Sequence, residues 1–419
     1  MAMRNKCESD RKCDAVVIGG GVIGLAAARE LGRGGLRVTV LERGGQRHGA
    51  ASPAAAGMLA PQAEANEADD FFRLQCAGRD AYPAFAGELH AETGIDIELD
   101  QTGTLYVALT EEDEMELTRR HIWQTQAGLT VERLTGAEAR RIEPALSPRV
   151  RMALRFATDW QVENRRLVHA LTAAVKFYGG TVWEGVAATR LRLERGRVAG
   201  VETERGILSA PIIVLAAGAW TSLLPFATAG GESSAHHAPG EDVEMPEHPR
   251  VEPVRGQMLC FRSSLPTSPQ PPLASGHVIY SPRGYLVPRR DGRLLAGATT
   301  ERVGFDPSVT AAGRDTLTAH AIEIAPAVIS ELPLVEAWAG LRPRAADERP
   351  VIGASLAVPN LFYATGHYRN GILLAPLTAT LIAEIIIAGR VPPLAAPFTP
   401  ARLGRAAACA GSLSHAGSF

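Results

Sequence analysis

Three glycines spaced as Gly19-x-Gly21-x-x-Gly24, followed by an acid at Glu42, are the residues of this 419-residue chain whose types and spacing point most directly to chemistry. Glycines at that spacing let a strand turn sharply into a helix, bring backbone N–H groups against a pyrophosphate and let helix and strand pack closely. An acid at the end of the next strand accepts from a ribose hydroxyl, which also argues against a ribose 2′-phosphate and hence against NADP. The glycines alone leave FAD and NAD both open. A second segment, Ser52-Pro53-Ala54-Ala55-Ala56-Gly57-Met58-Leu59-Ala60-Pro61, is too poor in large apolar residues for an ordinary core element. Its smallness points to close approach of a ligand, the alternative being a plain Ala-rich turn of helix.

The elements that must hold these residues follow from periodicity. An apolar run at 14–18, an Ala/Leu-rich stretch at 22–31 and a β-rich run at 37–42 predict strand, helix and strand around the glycine turn. Further strands are expected at 104–109, 181–193 and 210–218, the last apolar on both faces as in a buried parallel sheet. Thr110 and Asp113 predict a capped helix start, so the acids Glu111, Glu112, Asp113 and Glu114 are helix electrostatics and not a metal site. Residues 280–299 predict a hairpin turning at Asp291-Gly292. After Asn370-Gly371, Leu373, Leu377, Leu381 and Ile385 recur at i+4 and predict one apolar helix face, with the last turn at Gly389 before Pro392-Pro393.

Composition narrows the class. A net charge of −2 with 21% charged residues offers no basic footprint for nucleic acid or an anionic membrane, and 42 glycines with 5% aromatics suit an open α/β sheet better than a helical bundle. The apolar stretch at 377–387 is shorter than the ~20 residues of a span, and the first ten residues lack a signal-peptide core, so a cytoplasmic protein is expected. Cys7, Cys13, Cys76, Cys260 and Cys409 are dispersed without a CxxC pair, which fits a reducing compartment and no zinc site. The 229–250 stretch, with His236, His237 and His248 among Glu241, Asp242, Glu244 and Glu247, is read as a flexible surface insertion in preference to a metal site. Residues 263–272 read as a Pro/Ser loop, and 1–13 and 400–419 as tails.

Three separated motifs, 52–61, Gly340-Leu341-Arg342-Pro343 and Gly366-His367-Tyr368-Arg369-Asn370-Gly371-Ile372-Leu373-Leu374-Ala375-Pro376, together with the glycine fingerprint, resemble the D-amino-acid-oxidase-like FAD-dependent oxidoreductases, and within them the glycine oxidases of thiamine biosynthesis, across roughly 14–395. The resemblance implies noncovalent FAD, since no cysteine lies between Cys260 and Cys409 where sarcosine-oxidase-like relatives hold FAD covalently. It implies an α/β fold, with a Rossmann-like, discontinuous FAD-binding domain (14–80, 151–225, 336–395) and a second α+β substrate domain on an antiparallel sheet (81–150, 251–335). Carried over by position, Gly19, Gly21, Val22, Ile23 and Gly24 would lie at the pyrophosphate turn and Glu42 and Arg43 at the adenosine ribose. Ala51, Ser52, Ala56, Gly57 and Met58 would lie near phosphates and flavin, Ala188 at adenine, and His367, Tyr368, Arg369, Asn370, Gly371, Ile372 and Leu373 around the isoalloxazine. A helix starting near Gly371 would aim its positive end at the flavin.

For substrate, the resemblance implies that Arg342 and Tyr285 clamp an amino-acid carboxylate, with Arg369 at the flavin–substrate boundary and the residues around Arg283 and Thr300 shaping the space beside the substrate Cα. A planar guanidinium suits a carboxylate through two parallel hydrogen bonds. The implied reaction is oxidative deamination of glycine, through an imine, to glyoxylate, ammonia and hydrogen peroxide, with O2 as acceptor. The implied partners are a small-molecule substrate, like copies of the chain in a homo-oligomer (a tetramer in the family) and a thiazole synthase as imine acceptor, with no nucleic acid, membrane or metal. The alternatives are a D-amino-acid or sarcosine-type FAD dehydrogenase or oxidase, a non-catalytic FAD-binding scaffold, and an NAD-binding dehydrogenase.

Overall fold

A computed structural model of the protein describes residues 13–44, 49–228, 248–262 and 276–403. The 263–272 loop, nearly all of the 229–250 insertion, and most of the two tails lie outside the described residues. Ala15–Ile18, Val38–Glu42, Thr181–Glu184, Ile212–Leu215 and Leu361–Thr365 form five parallel strands, and Val351–Ala354 adds an antiparallel edge. The helices Val22–Arg33, Asn164–Phe177 and Gly371–Ile387 share one apolar core on this sheet. The central strands Ala15–Ile18 and Ile212–Leu215 are buried on both faces, which is why their sequences read as apolar runs without alternation.

The second layer is an eight-stranded sheet, ordered Leu334–Ala345, Val251–Arg262, Arg293–Gly297, Gly284–Pro288, Val278–Ser281, Thr104–Ala108, Met152–Phe156 and Glu132–Thr135. Its pairings are antiparallel except where Val278–Ser281 runs parallel to Thr104–Ala108. Met152–Phe156 and Leu334–Ala345, which boundaries at 151 and 336 would place on the FAD side, are strands of this sheet. The long Leu334–Ala345 strand therefore carries Arg342 from the second sheet to the border of the first.

Several expectations are corrected locally. The stretch expected as one strand at 181–193 is two, Thr181–Glu184 and Ala188–Glu194, broken at Gly185 with φ +71°. The second piece belongs to a four-stranded sheet with Arg197–Thr203, Gly206–Ser209 and Phe226–Thr228. The Gly371–Ile387 helix buries far more than one face, because it lies between the Val22–Arg33 and Asp70–Asp80 helices. The chain also stays packed past Pro400: Arg402 pairs with Asp347 at 2.7 Å and donates to the Arg349 carbonyl. The Thr110 cap forms with its reciprocal Asp113 partner, accounting for that acidic run. His248, the one histidine of the insertion that is described, stacks on Phe226 and bonds the Tyr363 hydroxyl and the Leu224 carbonyl.

Candidate active site

At Gly19 the chain leaves its strand with φ +111°, and a Cβ there would overlap the Ala216 carbonyl. Only glycine takes this turn without strain. Gly24 has no room for a Cβ against the Gly19 carbonyl, so it fixes how closely helix meets strand; it does not line the cavity, which corrects its reading as a cofactor contact. Gly21 caps the helix without a side chain, and the Val22 N–H donates instead to Ser52 Oγ at 3.0 Å. Glu42 accepts from the N–H groups of Gly20 at 2.7 Å and Gly44 at 2.8 Å. A carboxylate offers about four lone-pair sites, so this leaves acceptor capacity for a ribose.

The small-residue segment is a short helix, Ala51–Ala54, a loop, the strand Met58–Leu59 and the turn Pro61–Glu64. Its carbonyls are tied down by neighbouring side chains: Asn164 donates to Ser52, Trp338 to Ala54 and Arg289 to Ala56. Small residues are required because the second sheet presses here, Gly340 lying against Ala50, Ala51 and Ala54. Arg289 is buried and also donates to the Val162 carbonyl, Gln161 and Asn164; burial pushes its pKa down to about 10.

These elements enclose a cavity of about 370 Å³ between the two sheets. Of the residues expected in the site, Gly19, Gly21, Val22, Ile23, Glu42, Arg43, Ala51, Ser52, Ala56, Gly57, Met58, Ala188, Tyr285, Arg342 and 367–373 line it together. Arg283 and Thr300 do not. Arg283 turns away to Asp113 at 2.6 Å and Glu323 at 3.2 Å. Sequence reasoning missed Glu64, Trp220, Gly256 and Met258, which also line the cavity. Trp220 lies under the Arg43 guanidinium, 3.7 Å from ring centroid to Cζ.

At one end stand the groups able to hold an anion. Arg342 donates to the Thr299 carbonyl at 2.9 Å and, among the described residues, has no carboxylate in ion-pair reach. Desolvation and the neighbouring Arg369 lower its pKa. Its guanidinium lies flat where a side chain on Gly256 would be. The buried Tyr285 hydroxyl donates only weakly, to Met258 Sδ at 3.4 Å, and burial raises its pKa. Arg369 is different: it lines the same cavity but pairs with Glu64 at 3.1 Å, so it is not a second free cation. Its pKa is raised by that carboxylate. His367 turns its ring to Thr378 at 3.0 Å, and burial holds it neutral with a pKa pushed down to about 3, so it is not a general base.

The cavity fits an extended dinucleotide. A cradle with no space for Cβ atoms and a helix N-terminus stand at the Glu42 end, and the N-terminus of a 17-residue helix, at Gly371, borders the other.

Comparison with known proteins places this geometry. The chain is 38% identical over 407 residues to the bifunctional protein ThiO/ThiG of Trichormus variabilis, covering 97% of this chain and 57% of that protein, so it spans little more than half the length of such relatives. It is 34% identical to a glycine oxidase of Pseudomonas aeruginosa, covering 92% of this chain and 98% of that one. The crystal structure of glycine oxidase from Geobacillus kaustophilus superposes with a TM-score of 0.81 at 32% identity, covering 93% of this chain and 98% of that chain. Residues 14–385 match the family described as FAD dependent oxidoreductase, and the chain belongs to that family.

Proposed function

We propose that this chain oxidises glycine to its imine, which hydrolyses to glyoxylate and ammonia while O2 is reduced to hydrogen peroxide. The observation that carries the reading is Arg342: a desolvated guanidinium at the cavity, without a carboxylate partner among the described residues, beside the Tyr285 hydroxyl, which donates to Met258 Sδ. A desolvated cation without a counter-charge is costly, and a substrate carboxylate supplies the missing partner. FAD, when bound, supplies the hydride acceptor. Gly19, Gly21, Val22, Ile23, Ser52 and Glu42 would hold its pyrophosphate and ribose, with Ala56, Gly57, Met58 and 367–373 along the flavin.

Arg342 and Tyr285 bind and orient. With the carboxylate fixed at two points, the glycine Cα presents one hydrogen to the flavin side, and positioning alone accounts for a large part of such a barrier. No side-chain base is required, because a neutral amine needs none once it is positioned; the neutral, tethered His367 is consistent with this. A homo-oligomer, a cytoplasmic location and a ThiG-type partner receiving the imine belong to the same reading. Relatives named for both ThiO and ThiG support the last.

Replacing Arg342 with Ala tests the clamp. Loss of a charge-assisted bond costs ~1.5–3 kcal/mol, so kcat/KM for glycine should fall roughly 10- to 150-fold. FAD should remain bound by its absorbance. Unchanged glycine kinetics would remove Arg342 from the site.

A further inference from the structure

Charge at the substrate end of the cavity is distributed unevenly between two arginines. Arg342 has no acidic partner among the described residues, whereas Arg369 is neutralised by Glu64 at 3.1 Å. Both members of that pair line the cavity and are largely buried, with side chains 27% and 18% exposed. Arg43, the other cation on the lining, is stacked on Trp220, beside the Glu42 end. The substrate end therefore offers one net positive charge.

Glu64 is mounted rigidly enough to matter. It ends the Pro61–Glu64 turn, whose Gln62 and Ala63 N–H groups donate to the buried Asp159 carboxylate at 3.2 and 2.8 Å. The Gln62 side chain is in turn bonded to Gln124 and the Thr130 carbonyl. Its charge reaches the clamp: Tyr285 and Arg342 both sense Glu64.

We infer that Glu64 is a specificity-determining residue that confines the site to substrates bearing a single carboxylate, by occupying Arg369. A monocarboxylate neutralises Arg342 and leaves the pocket balanced. A dicarboxylate brings a second negative charge into a desolvated space where the neighbouring cation on the lining, Arg369, is already paired, and meets Glu64 as a like charge. Inside a protein, unpaired like charges are penalised far more than in water. The inference rests on the glycine reading, since it takes Arg342 as the site of the substrate carboxylate.

The test uses the FAD-loaded protein and two unreactive probes, acetate and malonate, titrated against the visible absorbance of the flavin. The wild type should bind acetate at least tenfold more tightly than malonate. Glu64→Gln, which keeps the shape and removes the charge, should narrow that ratio at least tenfold, and Glu64→Asp should retain it. With turnover, Glu64→Gln should raise kcat/KM for iminodiacetate relative to glycine. A wild type indifferent to the second carboxylate overturns the inference even if no variant folds. So does a folded Glu64→Gln with an unaltered ratio. If glycine still reduces the wild-type flavin in either case, the glycine reading stands; a wild type perturbed by neither glycine nor acetate overturns both.

Discussion

Arg342 is held by its surroundings more than by its own strand. On the paired strands Gly256 faces Gly340, two residues from Arg342 on the same side of the sheet, and the missing side chain is what lets the guanidinium lie flat. Gly256→Ala should therefore displace a flexible arginine end without breaking the fold. KM for glycine should rise about tenfold or more, as expected for a weakened charge-assisted bond, with FAD absorbance retained. An unaltered KM would show that the guanidinium does not depend on this space. Arg342 and Tyr285 were legible because each stands in a recognisable local motif. Gly256, Met258 and Glu64 were not, since their roles arise from register and from a turn that folds back onto the cavity, neither of which has a local sequence signal.

At the scale of elements, the glycine turn and its flanking strands and helix were readable because a strand-to-helix turn against a phosphate tolerates few residue types. The split of 181–193 was not, because Gly185 sits in a run whose residues favour strand on both sides. Nor was the direction of Arg283, which depends on Asp113 and Glu323 from two distant helices. Arg289 shows how elements are joined: from the end of the Gly284–Pro288 strand it donates to the carbonyls of Ala56 and Val162 on either side of the Gly57 loop. Arg289→Met would leave both buried acceptors unsatisfied, at ~1–3 kcal/mol each. A drop of about 2 kcal/mol or more in unfolding free energy should follow, measured by denaturant titration with excess FAD. A stability equal to wild type would mean that the loop is anchored elsewhere.

Across the whole molecule, two buried groups oppose each other in their response to pH. His367, with its pKa pushed by burial from 6.5 to about 3, stays neutral in the folded protein while the unfolded chain takes a proton below 6.5. Its contribution to stability therefore falls as pH falls through that window. Asp159, pushed by burial from 3.8 to about 7, holds a proton in the folded protein where the unfolded chain does not, so stability rises as pH falls from 7 toward 4. Between pH 7 and 5 each effect amounts to about 2 kcal/mol, with opposite sign. Compared with the wild type, His367→Gln should therefore gain stability at pH 5 relative to pH 7, and Asp159→Asn should lose it, by equilibrium denaturation with excess FAD. Shifts of the same sign in both variants would contradict the assignment. The central claim is tested most directly by the visible spectrum of the purified protein during anaerobic addition of glycine, followed by air and a peroxide assay. A yellow protein should bleach with glycine, then regain its colour in air with release of hydrogen peroxide; a yellow protein that glycine leaves unbleached would contradict the claim.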